Sequence, residues 1–149
     1  VTDVGTKESA QKLLFRTTMG GHVFVYRSTK GRVGSRMGGG AIVLLTTTGA
    51  RTGKRRTTPL MTVRDGDAYV VIASNGGLPN HPGWYFNIKA NPEARLEVAA
   101  EAFDVRGRVA TAEERARLWP GIVERFPGYG KYQRKAPREI PLVILERSG

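Results

Sequence analysis

The hydrophobic positions of this chain fall in short blocks separated by glycine, proline and charged residues. Ala41 to Thr47 (AIVLLTT) is a compact, β-branched run of strand length. Thr57 to Arg64 predicts a second strand, closed by Asp65-Gly66, a strong hairpin signal. Ala68 to Ser74 (AYVVIAS) predicts the third. Pro82 to Lys89 reads as a short helix that stops before Asn91-Pro92. Ala94 to Ala99 and Ala102 to Ala110 form a further strand pair, and Pro141 to Glu146 (PLVILE) supplies the last strand. Between them, Thr111 to about Phe126 is the clearest helix: Thr111 can cap it while Glu114, three residues on, reaches back. Pro120 is expected to bend or divide that helix. About six strands, mostly in hairpins, with helices around them predict a mainly β member of the α+β class, a small and mostly antiparallel barrel rather than a doubly wound sheet.

The first forty residues differ. Ser9 to Tyr26 is loosely helical, with Leu13, Leu14 and Val23 on one side and Lys12, Arg16 and Arg27 adding positive charge. Ser28 to Gly40 carries three more cations and five glycines. The division expected is a basic N-terminal helical segment with its linker over 1–40 and a barrel domain over 41–149. The helix either packs on its own domain or touches a membrane.

Composition narrows the chemistry. The 149 residues contain no cysteine and two histidines, His22 and His81, so disulfides and thiolate catalysis are excluded and a zinc site has too few ligands. No run reaches the ~18 apolar residues of a membrane span. The opening VTDVGTKESAQ has no apolar signal segment, so the expected location is the cytoplasm; a start at Val1 fits trimmed upstream residues. The net charge of +11 attracts anions. By itself that charge suits nucleic acid, an anionic membrane or a phosphorylated ligand, so its location has to decide.

Three segments could carry a site. Thr46 to Leu60, TTTGARTGKRRTTPL, sets Gly49 and Gly53 among Arg51, Lys54, Arg55 and Arg56 between two strands. Glycines let backbone amides approach a phosphate, and guanidiniums bind its oxygens in pairs. It is not a Walker loop, since no GKS or GKT follows and the next element is a strand; the plain alternative is a solvated basic turn. Ala73 to Gly77 (ASNGG) ends a strand with exposed backbone groups, and Trp84, Tyr85 and Phe86 follow on a helix start, where aromatics more often join a core than a cofactor shelf. His81 could serve as a base, although a lone loop histidine is more often a surface or capping residue. Phe126 to Arg138 (FPGYGKYQRKAPR) puts Tyr129 and Tyr132 one helical turn apart. They could line a pocket and donate a proton, or simply cap the barrel.

These blocks, with IASNGG, PGWYFNIKANP, TAEERARLWP, FPGYGKY and IPLVILE in order, resemble the deazaflavin (F420)-dependent nitroreductase and F420H2-dependent quinone reductase family of actinobacteria, over about Val43 to Glu146. The resemblance implies a split β-barrel related to the flavin-reductase and pyridoxamine-phosphate-oxidase folds. It implies coenzyme F420, an 8-hydroxy-5-deazaflavin with an anionic phosphate and oligoglutamate tail, and hydride transfer to a quinone, nitro compound or activated enone. By that analogy Ala50, Arg51, Thr52, Lys54 and Arg56 hold the tail. Thr57, Thr58, Pro59, Leu60 and Met61 flank the deazaflavin, Ile72, Ala73, Ser74 and Asn75 line its edge, and Gly83, Trp84, Tyr85, Phe86 and Asn87 wrap ring and ribityl chain. Ser74, Tyr129 and Tyr132 are the catalytic candidates, with Tyr129 near the ring and Tyr132 bordering the substrate.

One departure matters: Phe126 stands where the nitroimidazole-reducing member carries a tyrosine, which sets bulky nitroimidazoles aside and favours quinones. The basic N-terminal segment then suits peripheral contact with the inner face of an anionic membrane. The rivals are an FMN-binding barrel, a non-catalytic F420 carrier and, last, a nucleic-acid binder, ranked so because the cations converge on one patterned loop. Related barrels often dimerise, but the family includes monomers, and the expectation leans toward a monomer.

Overall fold

The computed structural model describes residues 41–148; the expected N-terminal helix and linker lie outside them. Six strands, β1 (Ala41–Thr48), β2 (Arg55–Asp65), β3 (Ala68–Ile72), β4 (Glu93–Val98), β5 (Glu101–Val109) and β6 (Leu142–Arg147), close into a barrel in the order β1-β2-β3-β6-β5-β4. Every neighbouring pair is antiparallel. Three helices, α1 (Gly83–Ala90), α2 (Ala112–Arg125) and α3 (Gly128–Lys135), complete the described residues. The elements predicted within residues 41–148 are all present, with ends moved by a residue or two.

Side-chain alternation builds two cores. Val43, Leu45, Val71, Leu96, Val105 and Leu145 fill the barrel, and α1 closes over them with Trp84, Tyr85 and Ile88. On the outer face, Val70, Ile72, Leu142 and Ile144 of β3 and β6 meet Ile122, Leu118 and Trp119 of α2. The period of two in the strands sends alternate residues to these two layers. Gly107 of β5 is where α1 presses closest: a Cβ there would lie 2.9 Å from Ile88 Cγ2.

The capping box of α2 is formed as expected: Glu114 N donates to Thr111 Oγ1 at 3.2 Å and Thr111 N to Glu114 Oε1 at 2.9 Å. Pro120 lies inside α2 without dividing it. The β2–β3 turn is centred one residue later than the hairpin signal, since Asp65 pairs with Ala68 and leaves Gly66-Asp67 at the tip. Gly66 takes the left-handed conformation (φ 60°) that the first position of a tight primed turn demands.

Register leaves part of β2 paired on one side. β2 pairs with β1 along its length to Arg55, whereas its pairing with β3 begins only at Thr62. Among the described strands, the segment from Arg55 to Met61 is therefore paired on its β1 side alone, which leaves its other flank outside the barrel ladder. That flank lies at the end of the barrel carrying the β1–β2 loop, the Ala73–His81 loop, α1 and α3.

Candidate functional site

The β1–β2 loop is a defined turn. Gly49 N donates to Lys54 O at 2.8 Å, Gly53 N to Gly49 O at 2.9 Å, and Gly53 is left-handed at φ 70°. Helix α1 holds it from below: Asn87 Oδ1 accepts from Ala50 N at 2.9 Å, and Asn87 Nδ2 donates to Thr47 Oγ1 at 3.1 Å. Asn87 was expected to wrap the cofactor; both arms of its amide instead couple α1 to the loop.

Charge is distributed unequally. Arg95, Arg106, Arg108, Arg115, Arg117 and Arg147 each sit within ion-pair distance of a carboxylate. Among the described residues Arg51, Lys54, Arg55 and Arg56, all exposed, have no such partner; Arg55 alone bonds a side chain, the Thr48 hydroxyl at 3.4 Å. Four cations on a short, exposed loop repel one another unless an anion joins them.

Next to the loop runs the open flank of β2, with Thr57 to Met61 half-buried. Thr57 Oγ1 and Thr46 Oγ1 share a hydrogen bond of 2.8 Å that ties the flank to β1. Since Val71 pairs with Thr62, Ile72 lies level with Met61, and the chain then leaves the barrel wall through Ala73, Ser74 and Asn75. Asn75, Gly76 and Gly77 are successively left-handed (φ 47°, 64° and 80°), which folds the backbone sharply back.

Ser74 is 9% exposed. Its carbonyl accepts from Gly77 N at 2.9 Å and from Arg138 Nη2 at 2.9 Å, while its hydroxyl does not cap the turn and has no hydrogen-bond partner among the described residues. A buried hydroxyl without a partner costs about 1–3 kcal/mol, which makes Ser74 Oγ a candidate contact for a bound molecule.

Helix α3 forms the far wall. Its Tyr132 backbone rests against Gly77, where a Cβ would come within 2.9 Å of Tyr132 O. The rings of Phe126, Tyr129 and Tyr132 follow one another edge to face, 6.3 and 6.0 Å apart. Burial, then the neighbouring Tyr132, push the Tyr129 phenol up to about 12, so it holds its proton throughout the physiological range. Tyr132 is 40% exposed.

The expected aromatic shelf divides. Trp84 and Tyr85 belong to the barrel core, Gly83 and Phe86 are exposed, and only Phe86 of the three rings faces solvent. His81 is a structural residue: its Nδ1 lies 2.9 Å from Arg138 Nη1 and its ring stacks on Tyr85 at 4.4 Å. Desolvation and then the Arg138 charge pull its pKa below the ordinary value. Sequence reasoning missed Arg138, which in the run QRKAPR looks like one more surface cation; only the fold reveals that it points back into the turn.

At the other end of the barrel lies an open depression of about 1090 Å³ lined by Arg64, Asp67, Glu101, Glu146 and Arg147, among others. Most of its charges are paired, as in Arg147–Glu101 and Arg108–Glu146, and its Arg64 bonds the Tyr69 hydroxyl and Gly66 O. Among the described residues no group of His, Asp or Glu could hold a metal ion.

The donor set at the first site fits an elongated polyanion joined to a flat ring, and known proteins agree. The sequence model of the F420H(2)-dependent quinone reductase family matches residues 18–147. An F420H(2)-dependent quinone reductase of Mycobacterium tuberculosis is 44% identical over 130 residues, covering 85% of this chain and 87% of its own. The solved structure of an F420-H2 dependent reductase is 46% identical with a TM-score of 0.64, covering 70% of this chain and 93% of that one. Another, a domain-swapped dimer, is 36% identical with a TM-score of 0.67 and covers 98% of this chain and all of its own. This chain belongs to the F420H(2)-dependent quinone reductase family: it is a split-barrel oxidoreductase whose cofactor is coenzyme F420.

Proposed function

We propose that the chain reduces a quinone with the reduced deazaflavin, and that the flank of β2 between the cationic loop and Ser74 is where the two reactants meet. The observation that carries this is the cluster of exposed cations at Arg51, Lys54, Arg55 and Arg56, without a carboxylate partner among the described residues, on the strand that leads toward the buried Ser74 hydroxyl, itself without a partner among them. Bound in reduced form, the coenzyme supplies a hydride. The protein does the rest. Arg51, Lys54 and Arg56, with the amides of Ala50 and Thr52, hold the anionic tail, and the spread of the charge matches a chain of carboxylates beyond a single phosphate. Thr57 to Met61 offer backbone groups to the ring, Pro59 contributing a carbonyl but no N–H. Ser74 Oγ donates to the acceptor or the ring edge, and the Tyr129 hydroxyl, protonated at neutral pH, delivers the proton that quinone reduction consumes. Tyr132 and Phe86, half-exposed, border the acceptor's entrance.

Quinones are preferred over nitro compounds and enones because Phe126, buried edge-to-face against Tyr129, offers no hydroxyl beside it. The chain works as a dimer in this reading, supported by the domain-swapped relative, in place of the monomer expected from sequence. No helix of the described residues is long and apolar enough to cross a membrane; peripheral contact from the cytoplasmic side, through the basic segment 1–40, would bring the protein to a lipid-soluble acceptor.

The test follows oxidation of the reduced coenzyme spectrophotometrically with a naphthoquinone, a nitroimidazole and a cyclic enone in parallel. Turnover with the quinone at least about tenfold faster than with the others is expected. Comparable rates with all three would remove the acceptor assignment and leave the cofactor in place.

A further inference from the structure

Four carbonyl oxygens behind the strand end converge on one side chain. Arg138 Nε donates to Leu78 O at 3.1 Å, Nη1 to Ala73 O at 3.3 Å, and Nη2 to Ser74 O at 2.9 Å and Asn80 O at 3.2 Å. Nη1 also reaches His81 Nδ1 at 2.9 Å. A guanidinium has five N–H groups and no acceptor, so these five contacts use all of it. They also fix the tautomer of His81, whose Nδ1 can only accept and whose proton must lie on Nε2.

The left-handed run Asn75–Gly77 explains why such a clamp is needed. It turns the chain so tightly that carbonyls from both of its arms face the same small volume, where they would repel one another without a cation between them. An ammonium group carries charge but has three donors, and cannot span four oxygens in one plane. Arg138 is itself held. Gln133 Nε2 of α3 donates to Arg138 O at 2.7 Å, and Gln133 Oε1 accepts from Ile140 N at 2.8 Å and from Arg115 Nη2 of α2 at 3.0 Å. Ala73 N donates to Pro141 O at 3.0 Å, closing the segment against the strand end. On the far side, His81 stacks on Tyr85 and lies 5.8 Å from the Phe86 ring. One guanidinium thus links the two outer helices to both walls of the site, Ser74 on one side and α1 on the other.

We propose that Arg138 is a positioning residue for the reaction, its guanidinium fixing the Ala73–His81 backbone and so the aim of the Ser74 hydroxyl and the seat of Phe86. The inference rests on the proposed function above. It acts on geometry and leaves the anionic tail to the β1–β2 loop, so it separates turnover from cofactor affinity. A misplacement of about 1 Å at a reacting group costs on the order of a hundredfold in rate. The same clamp makes the site sensitive to acid, because a proton on His81 Nδ1 would face Arg138, while Tyr85 of α1 lies against the ring and the charge of Lys89, seated over Tyr85, adds to the repulsion.

The experiment compares Arg138→Lys and Arg138→Ala with the parent chain. Expected in both is a kcat with quinone reduced about 10- to 100-fold, with the Kd for F420 changed by less than about threefold. Guanidinium chloride at sub-denaturing concentration restores part of the turnover of Arg138→Ala but not of Arg138→Lys, a result that general loosening of the fold would not give. Retention of most of the parent kcat by Arg138→Lys overturns the proposal, as does an equal loss of kcat and F420 affinity without rescue. Should the parent itself turn over no quinone, the functional reading fails while the clamp stays testable: the His81 imidazole, followed by NMR, should titrate at higher pH in Arg138→Ala, which removes the charge that faces its Nδ1, and an unmoved titration refutes it.

Discussion

Asn87 offers the most direct test of how the fold prepares the tail-binding loop. Asn87→Ala removes two hydrogen bonds, an exposed one to Ala50 N and a half-buried one to Thr47 Oγ1. Each is worth about 0.5–1.5 kcal/mol net, the exposed one at the lower end. The loss should therefore be about 1–2 kcal/mol, and it falls on the register between α1 and the loop rather than on the core, since Ile88 and Trp84 still anchor the helix. If only a fraction of loops then holds the binding shape, the apparent Kd for F420 rises by the inverse of that fraction. A bias of 1–2 kcal/mol sets that rise at roughly 5- to 30-fold. The assay is tryptophan-quenching titration with oxidised F420 at low and high salt. Removing a tether weakens binding by the same factor at both, whereas Lys54→Ala, which removes a charge, should lose most of its effect as salt screens it. An Asn87→Ala protein that binds F420 like the parent, or whose defect disappears in salt, would refute the tether.

Other outcomes follow from the same coordinates. Gly107→Ala puts a methyl 2.9 Å from Ile88 Cγ2 and 3.1 Å from Leu145 Cδ2, so it should destabilise by about 1–3 kcal/mol through overpacking; urea unfolding measures this, and an Ile88→Ala background should remove most of the clash. Glu114 is held down to about 2 chiefly by its hydrogen bond from Arg108 and then by the Thr111 backbone amide. Because its folded pKa is depressed, its stabilisation is complete above the ordinary carboxylate range near 4.5 and is lost as pH falls toward 2. Glu114→Gln should thus narrow its stability gap from the parent between pH 6 and pH 3, and parallel thermal-melt curves would contradict this.

The elements were legible because each strand carries its own signal: β-branched runs, a hairpin Gly66, and a capping box that needs only Thr111 and Glu114. These are local properties, set by residues within a turn of one another. The cationic loop proposed to hold the tail was legible for the same reason, its cations being adjacent in sequence. What escaped is non-local. Whether Trp84, Tyr85 and Phe86 face a ligand or a core depends on how α1 lies over the barrel, and the packing takes the first two and leaves the third. Arg138 is more extreme, since its partners lie 57 to 65 residues away and are mostly backbone carbonyls, which have no sequence signature. Pro120 shows the opposite error, in which a strong local rule yields: the outer face of β3 and β6 holds Leu118 and Ile122 on either side of it, so the helix continues at the cost of one hydrogen bond.

Charge pairing connects these observations to function. At the end of the barrel with the β2–β3 and β4–β5 turns, arginines and carboxylates cancel: Arg117 with Asp65, Arg147 with Glu101, Arg108 with Glu114 and Glu146. At the other end Arg51, Lys54, Arg55 and Arg56 do not cancel. A net charge of +11 spread evenly would draw any polyanion weakly from all sides. Among the described residues, neutralising one end and leaving these cations bare at the other gives a directed field that falls off over about 8–10 Å in physiological salt. The β1–β2 loop at its source runs directly into the flank of β2 that leads toward Ser74. Under the proposed function, a tail captured by the loop would have its ring delivered to the flank by geometry, and the loop would select for the tail without taking part in the chemistry at its far end.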